Sequence, residues 1–402
     1  MKFAIPITLL SLLVSQISPA AYYAHEWGTF TSLVGSDGKT QPGMYHEDEV
    51  LPDFVHTFGE TRASHQTVAL ASPRPQCRRG KGCLDDAFFD RNIITQKMET
   101  PVIYFYADKE EHVDVNVKFP NGIFTETYPA PVRSIPTVKD LVHPQGGEAT
   151  FSVDLYPQLP MAPPEVDSAN IYGHARNVAS SYVSSGGEVE KFIFYRGLGQ
   201  FQPRISIRSS RGALNISAAQ HETPQAAFLV DVNEKGQVDF ITLSLPLNQV
   251  IDAASISVLK THAQNRGSQA GEAIVAALQQ AGLYRDEAQA MFDTWKHGYL
   301  QVPGLRLLYV LPVNEPDAIL PLSMTPSPTS LKRVFVGRVE ILLDTEENRI
   351  LNDIIKQGDK FTPSSLGRFA EPILQRIAQR YEGSDSSVRA LLARLVEKAA
   401  HR

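Results

Sequence analysis

Residues 102 to 128 hold two strand signatures in succession, and they constrain the fold more than any other stretch. Val102-Ile103-Tyr104-Phe105-Tyr106 is a continuous apolar run of strand length, as expected of a strand buried on both faces. Val113, Val115, Val117 and Phe119 then alternate with Asp114, Asn116 and Lys118. That period of two places the apolar set on one face and the polar set on the other. Pro120-Asn121-Gly122 supplies a turn, and residues 123–128 return as the partner strand. Residues 98–156 therefore predict a sandwich-like β layer, against which the rest of the chain must pack.

The remaining pattern extends this layer before it turns helical. After a Pro-rich connector at 159–164, strand signals recur at 191–196, 204–208, 226–232 and 238–245. Helical periodicity begins at 270–280. It continues at 286–299, where Ala288, Met291, Phe292, Trp295 and Tyr299 share a face. Two further strands are expected at 305–311 and 331–343, and helices at 346–356, 364–381 and 387–400. The expected class is α+β, with β-rich N-terminal and middle sections and helices concentrated in the C-terminal third. The expected segments are a signal peptide at 1–20, a β-rich domain at 21–160 and a second β-rich section at 161–262. A helix pair with strands follows at 263–345, and a helical segment at 346–402.

Residues 1–20 combine Lys2, an apolar run from Phe3 to Val14 and Ser18-Pro19-Ala20, the three regions of a secretory signal. The run is shorter than the ~20 residues a membrane span requires. Cleavage is expected after Ala20, giving an exported periplasmic or extracellular protein with no integral membrane segment. The 402 residues carry 38 Lys and Arg against 44 Asp and Glu, a formal net charge of −6. That balance offers no electrostatic footprint for nucleic acid. Export also makes a Cys77–Cys83 disulfide the expectation, pinning the basic loop Arg78-Arg79-Gly80-Lys81-Gly82. So short a loop yields roughly 2 kcal/mol. This loop either meets an anionic partner or is a solvated surface feature.

The HExxH, GxSxG, GxxxxGK[ST] and GxGxxG motifs do not occur in the sequence. Asn215-Ile216-Ser217 fits the short glycosylation pattern. The phrases HEWGTFTSL (25–33), METPVIYFY (98–106), FYRGLG (194–199), GLRLLYVLP (304–312) and VFVGRVE (334–340) resemble an uncharacterised family of exported bacterial proteins. That family is marked by its opening HEWGT-F-T phrase. The resemblance spans nearly the whole mature chain and implies export, but no activity, cofactor or substrate.

Two constellations could carry chemistry. The first is His25, Glu26, His46, Glu47, Asp48, Glu49, Asp53 and His56. Imidazole and carboxylate suit a divalent transition metal such as zinc, iron, manganese or copper. His25, His46, His56 and Asp48 are the candidate ligands, and His25 and Glu26 the candidate acid/base pair. If residues 25–30 form a strand, His25 projects with Trp27 and Glu26 to the opposite face with Gly28. The plainer account is a solvated acidic loop with packed histidines. The second constellation flanks the apolar strands. Glu99 and Arg196 are candidate substrate-binding residues, with Arg306, Arg338 and Glu340 nearby in pattern. Internal Arg–Glu pairs are the plainer account there.

Three functions fit these residues. One is an exported hydrolase or metal-assisted oxidoreductase using the N-terminal His/acid cluster. Another is a non-catalytic envelope protein binding a small molecule, glycan, peptide or metal. The third is a structural or assembly factor.

Overall fold

A computed structural model describes residues 22–46, 49–57, 93–135, 145–219 and 222–400. The signal segment 1–20, Asp48, Cys77 and Cys83 lie outside the described residues. The long strand Tyr22–Val34 lies in a nine-stranded sheet, and all but one of its 13 residues are buried. Its neighbours are Ser330–Ile341, which runs parallel to it, and Gln96–Ala107, which runs antiparallel. Outward from Ser330–Ile341 lie Gly304–Val310, Ala226–Val232 and Val238–Thr242. Outward from Gln96–Ala107 lie Ile193–Gly199, Gly122–Tyr128 and the two-residue strand His56–Thr57.

A second sheet contains Glu111–Phe119 and Gly147–Tyr156, and a third joins Ile205–Ser210, Ala213–Ala218 and Asn248–Ile251. The alternation read at 113–119 is realised there. Val113, Val115, Val117 and Phe119 are buried, while Asp114 and Lys118 face solvent. These side chains join Ala24, Phe105, Ile193, Leu307 and Phe335 of the large sheet in one core, so one face of that sheet packs on the two smaller sheets.

The opposite face of the large sheet carries the helices. Gly267–Gln280 and Arg285–Leu300 cover one end through Ile274, Met291, Trp295 and Tyr299, against Trp27, Val102, Phe194 and Val334. Asp344–Gln357, Ala370–Arg380 and Ser386–Ala400 cover the other end through Ile354, Leu374 and Leu395, against Leu33, Ile123, Leu198 and Leu342. The fold is α+β with its helices gathered late, as the periodicity predicts. Among the described residues, no helix is long and apolar enough to cross a membrane.

Several boundaries differ from the expectation. The sequence reads as strand at 29–34, whereas the first strand begins at Tyr22, because the buried polar side chains His25 and Glu26 interrupt the hydrophobic pattern. The expected helix 364–381 divides into a 3-10 segment, Pro363–Phe369, and the α-helix Ala370–Arg380. The break falls at Gly367, whose backbone (φ 60°, ψ −153°) no other residue adopts readily.

Candidate functional site

Strand alternation places a band of charge across the helix-covered face of the large sheet. Along the first strand, Trp27 and Leu33 belong to the two separate helix-side cores, and Thr29 and Thr31 share their face. Along Ser330–Ile341 and just beyond it, Val336 and Leu342 flank Arg338 and Glu340 in the same way. Leu308 follows Arg306 by period two, and Phe194 and Leu198 bracket Arg196. A polar seam thus crosses the sheet between two apolar cores. Arg196, Arg306, Arg338, Lys97, Glu99 and Glu340 are all buried in it.

The sheet is irregular where the seam crosses it. Register shifts occur between Trp27 and Thr29 against Gln96–Ala107, between Phe194 and Gly197, and between Arg196 and Gly197. Thr100 sits among them, buried, with φ at 47°. A β-branched residue in that region is strained by roughly 1–3 kcal/mol, and such strain tends to gather at functional sites. Bulges likewise gather beside sites because they re-aim side chains. Here the bulges turn Arg196 so that its Nε donates to Thr100 Oγ1 at 3.2 Å. Glu126 faces Arg196 across the strand pair, and Glu49 Oε2 lies 3.9 Å from Arg196 Nη2.

Every element bordering the seam contributes to it. Arg306 donates from Nη1 to the carbonyls of Gly298 and Tyr299 at 3.0 and 2.7 Å, ending the helix Arg285–Leu300. Arg306 and Arg338 share one carboxylate, with Nε to Glu340 Oε1 at 3.0 and 2.7 Å. Tyr299 and Thr29 join hydroxyls at 2.7 Å. From the 3-10 segment, Arg368 reaches Glu99 at 2.9 Å. Lys97 Nζ donates to the His46 carbonyl at 2.8 Å. Burial alone would push Glu99 up. The charges of Arg368, Arg338 and Lys97, with a hydrogen bond from Thr31, outweigh it and hold the carboxyl at about 2. Burial lowers Arg306 to about 10 against the opposing pull of Glu340, so it stays charged at neutral pH.

The three candidate histidines of the first constellation go to three different carboxylates. His25 Nδ1 meets Glu287 Oε2 at 2.9 Å, and that carboxylate also accepts from Tyr106 and from the Tyr284 backbone. His46 Nε2 lies 3.1 Å from Glu371 Oε2, and His56 Nε2 lies 2.6 Å from Glu188 Oε1. Glu26 occupies the opposite face from His25, as the strand geometry predicts. It accepts from Tyr195 and from Arg333 Nε at 2.5 Å. Burial raises its carboxyl against the pull of Arg333. Gly28, on the same face, is closely approached: a Cβ there would come within 2.7 Å of Phe335 and 2.9 Å of Pro101. Among the described residues, no group of three or more His, Cys, Asp or Glu side chains is placed to hold a metal ion.

The second constellation fares differently. Glu99 and Arg196 both lie in the seam, adjoining Thr100 from two sides. Lys97, Thr100 and Arg368 are the members sequence reasoning missed. Lys97 and Thr100 sit in a stretch that reads as ordinary strand, and Arg368 in one that reads as ordinary helix. Only the interruption of a strand by Thr100-Pro101 hinted at an irregularity. No protein-family model matches the chain, and no curated protein matches it.

Proposed function

We propose that the protein is an exported binding protein whose site is the buried polar seam, recognising a small polar or charged molecule. On this reading the chain belongs with the exported proteins its opening phrase resembles. The observation that carries it is the strained, buried Thr100 at the meeting of three register shifts, set between Glu99 and Arg196. Strain at Thr100 and the desolvation of a band of buried charge both cost stability, and such costs gather at functional sites. Binding is favoured over proton-transfer catalysis because of the charge states. Through the neutral range Glu99 stays a carboxylate, Arg306 a guanidinium and Tyr299 a phenol. Such groups position and hold a ligand, whereas a general base works best when its pKa lies near the working pH.

The test is a thermal-shift panel of neutral sugars, short peptides, carboxylates and phosphate esters, run on the wild type and on Arg196→Met. At least one class is expected to raise the wild-type melting temperature and to lose most of that effect in the variant. A panel without any hit, or a hit that Arg196→Met leaves intact, overturns the reading.

A further inference from the structure

We propose that the seam receives an anionic group of its ligand, a carboxylate or a phosphate, at Nη2 of Arg338 beneath the segment 358–369. This rests on the seam being the binding site. Arg338 is 1% exposed. Its Nε is committed to Glu340, and its Nη1 is pressed so close to Gly298 that a Cβ there would lie 2.5 Å away. Its Nη2 is buried and has no hydrogen-bond partner. An unmet donor in the interior costs about 1–3 kcal/mol, and more on a charged group.

Charge pairing separates Arg338 from Arg333, whose Nη2 is likewise buried and unmet. Arg333 has two carboxylates to itself, Glu26 and Asp317. Arg338 shares Glu340 with Arg306, and the other carboxylate its charge acts on, Glu99, with Arg368 and Lys97. The neighbourhood is rich in positive charge around one aromatic ring. The Phe369 ring lies 5.5 Å from the Arg338 Cζ and 4.9 Å from that of Arg368, so two guanidinium groups approach one ring. With Nε and Nη1 occupied, Nη2 alone donates, as a charge-assisted hydrogen bond to one carboxylate or phosphate oxygen.

Access follows from the segment above. It runs from Gly358 (φ 55°, ψ −132°) to Gly367 (φ 60°, ψ −153°), both in glycine-favoured backbone conformations. A Cβ at either would meet nothing within 4 Å, so the backbone alone calls for glycine at both places. Two such positions bound a strap whose Phe361 and Phe369 pack into the helix-side core, so on this proposal the strap must lift from that core for an anion to enter.

The experiment compares sodium phosphate, sodium acetate and sodium chloride at matched ionic strength. Melting temperature and calorimetric titration are read on the full chain of wild type, Arg338→Met and Arg338→Lys. A saturable rise with phosphate, acetate or both, absent with chloride, is expected in the wild type. Which anion acts identifies the group. The rise should vanish in Arg338→Met, and binding should weaken at least tenfold in Arg338→Lys, which keeps the charge without the fixed Nη2 donor. Should Arg338→Met fail to fold, the wild type and Arg338→Lys still decide. No anion-specific rise in the wild type, or equal affinity in Arg338→Lys, overturns the proposal. If neutral sugars or peptides bind through Arg196 while both anions fail, only this inference falls. If nothing binds, the seam reading falls with it.

Discussion

Two buried glutamates at opposite ends of the titration range make the residue scale testable. Glu99 is held at about 2 against an ordinary 4.5 by Arg368, Arg338 and Lys97, which together outweigh the cost of burial. Its depressed carboxyl contributes stability that is present above about 4.5 and lost as pH falls through about 2. That gap converts to about 3 kcal/mol. Glu99→Gln is expected to be less stable by 3–5 kcal/mol at pH 7, since it leaves buried guanidinium groups short of a partner. Denaturant melts from pH 7 to 2 would show the wild type converging on the variant. A constant difference across that range rejects the account. Glu315 is the reverse case. Burial pushes it up to about 7, with Arg204 opposing and Glu222 adding to the rise. A raised carboxyl favours the fold below its ordinary pKa and loses that benefit as pH rises through about 7. Glu315→Gln should therefore gain up to about 3 kcal/mol over wild type at pH 8, and little at pH 5. Equal stability of the two proteins at pH 8 would refute this.

At the scale of elements, regular hydrophobic patterns were legible and polar interruptions were not. The strands Ala226–Val232 and Gly304–Val310 and the helix Arg285–Leu300 follow from side-chain period, to within a residue or two. The strands Ala213–Ala218 and Asn248–Ile251 did not, because Asn215, Ser217, Asn248 and Gln249 dilute any period. The histidines of the first constellation are placed apart for a related reason. Proximity in sequence along a strand sends neighbours to opposite faces, and loops carry the later histidines to separate elements. The burial of Glu99 and Arg196 was legible because Arg and Glu at strand positions beside apolar runs have to be paired when buried. The strap offers an element-scale prediction. Gly367→Ala gains no contact and suffers no clash, so backbone strain alone should cost about 1–3 kcal/mol. Differential scanning calorimetry should show that loss. A melting temperature at or above wild type would mean that the strap does not hold Gly367 in its glycine-only conformation.

Taken whole, the molecule has one continuous core between its sheets and two separate cores under its helices, so it is not equally stable throughout. Beside their apolar contact with Leu33 and Leu342, the C-terminal helices are tied to the first strand's end through Glu347. It accepts from the Ser36 backbone and hydroxyl at 2.8 and 2.9 Å and from Arg376 Nε at 2.8 Å, and it also pairs with Arg380. Burial would raise this carboxyl, yet Arg376 and the Ser36 donors hold it below the ordinary range. Replacing it with Gln keeps the shape and removes the charge that two guanidinium groups share. The large sheet and the helices Gly267–Gln280 and Arg285–Leu300 make none of these contacts, so the weakening should be local. In Glu347→Gln, amide hydrogen exchange should quicken by one to two orders of magnitude in Ala370–Arg380 and Ser386–Ala400. This matches a loss of about 1.4–3 kcal/mol in the local opening free energy. Exchange in Gln96–Ala107 should stay at the wild-type rate. Uniform acceleration across both regions would mean that helices and sheet open as a single unit, and that the seam lies inside one cooperative body, not between two.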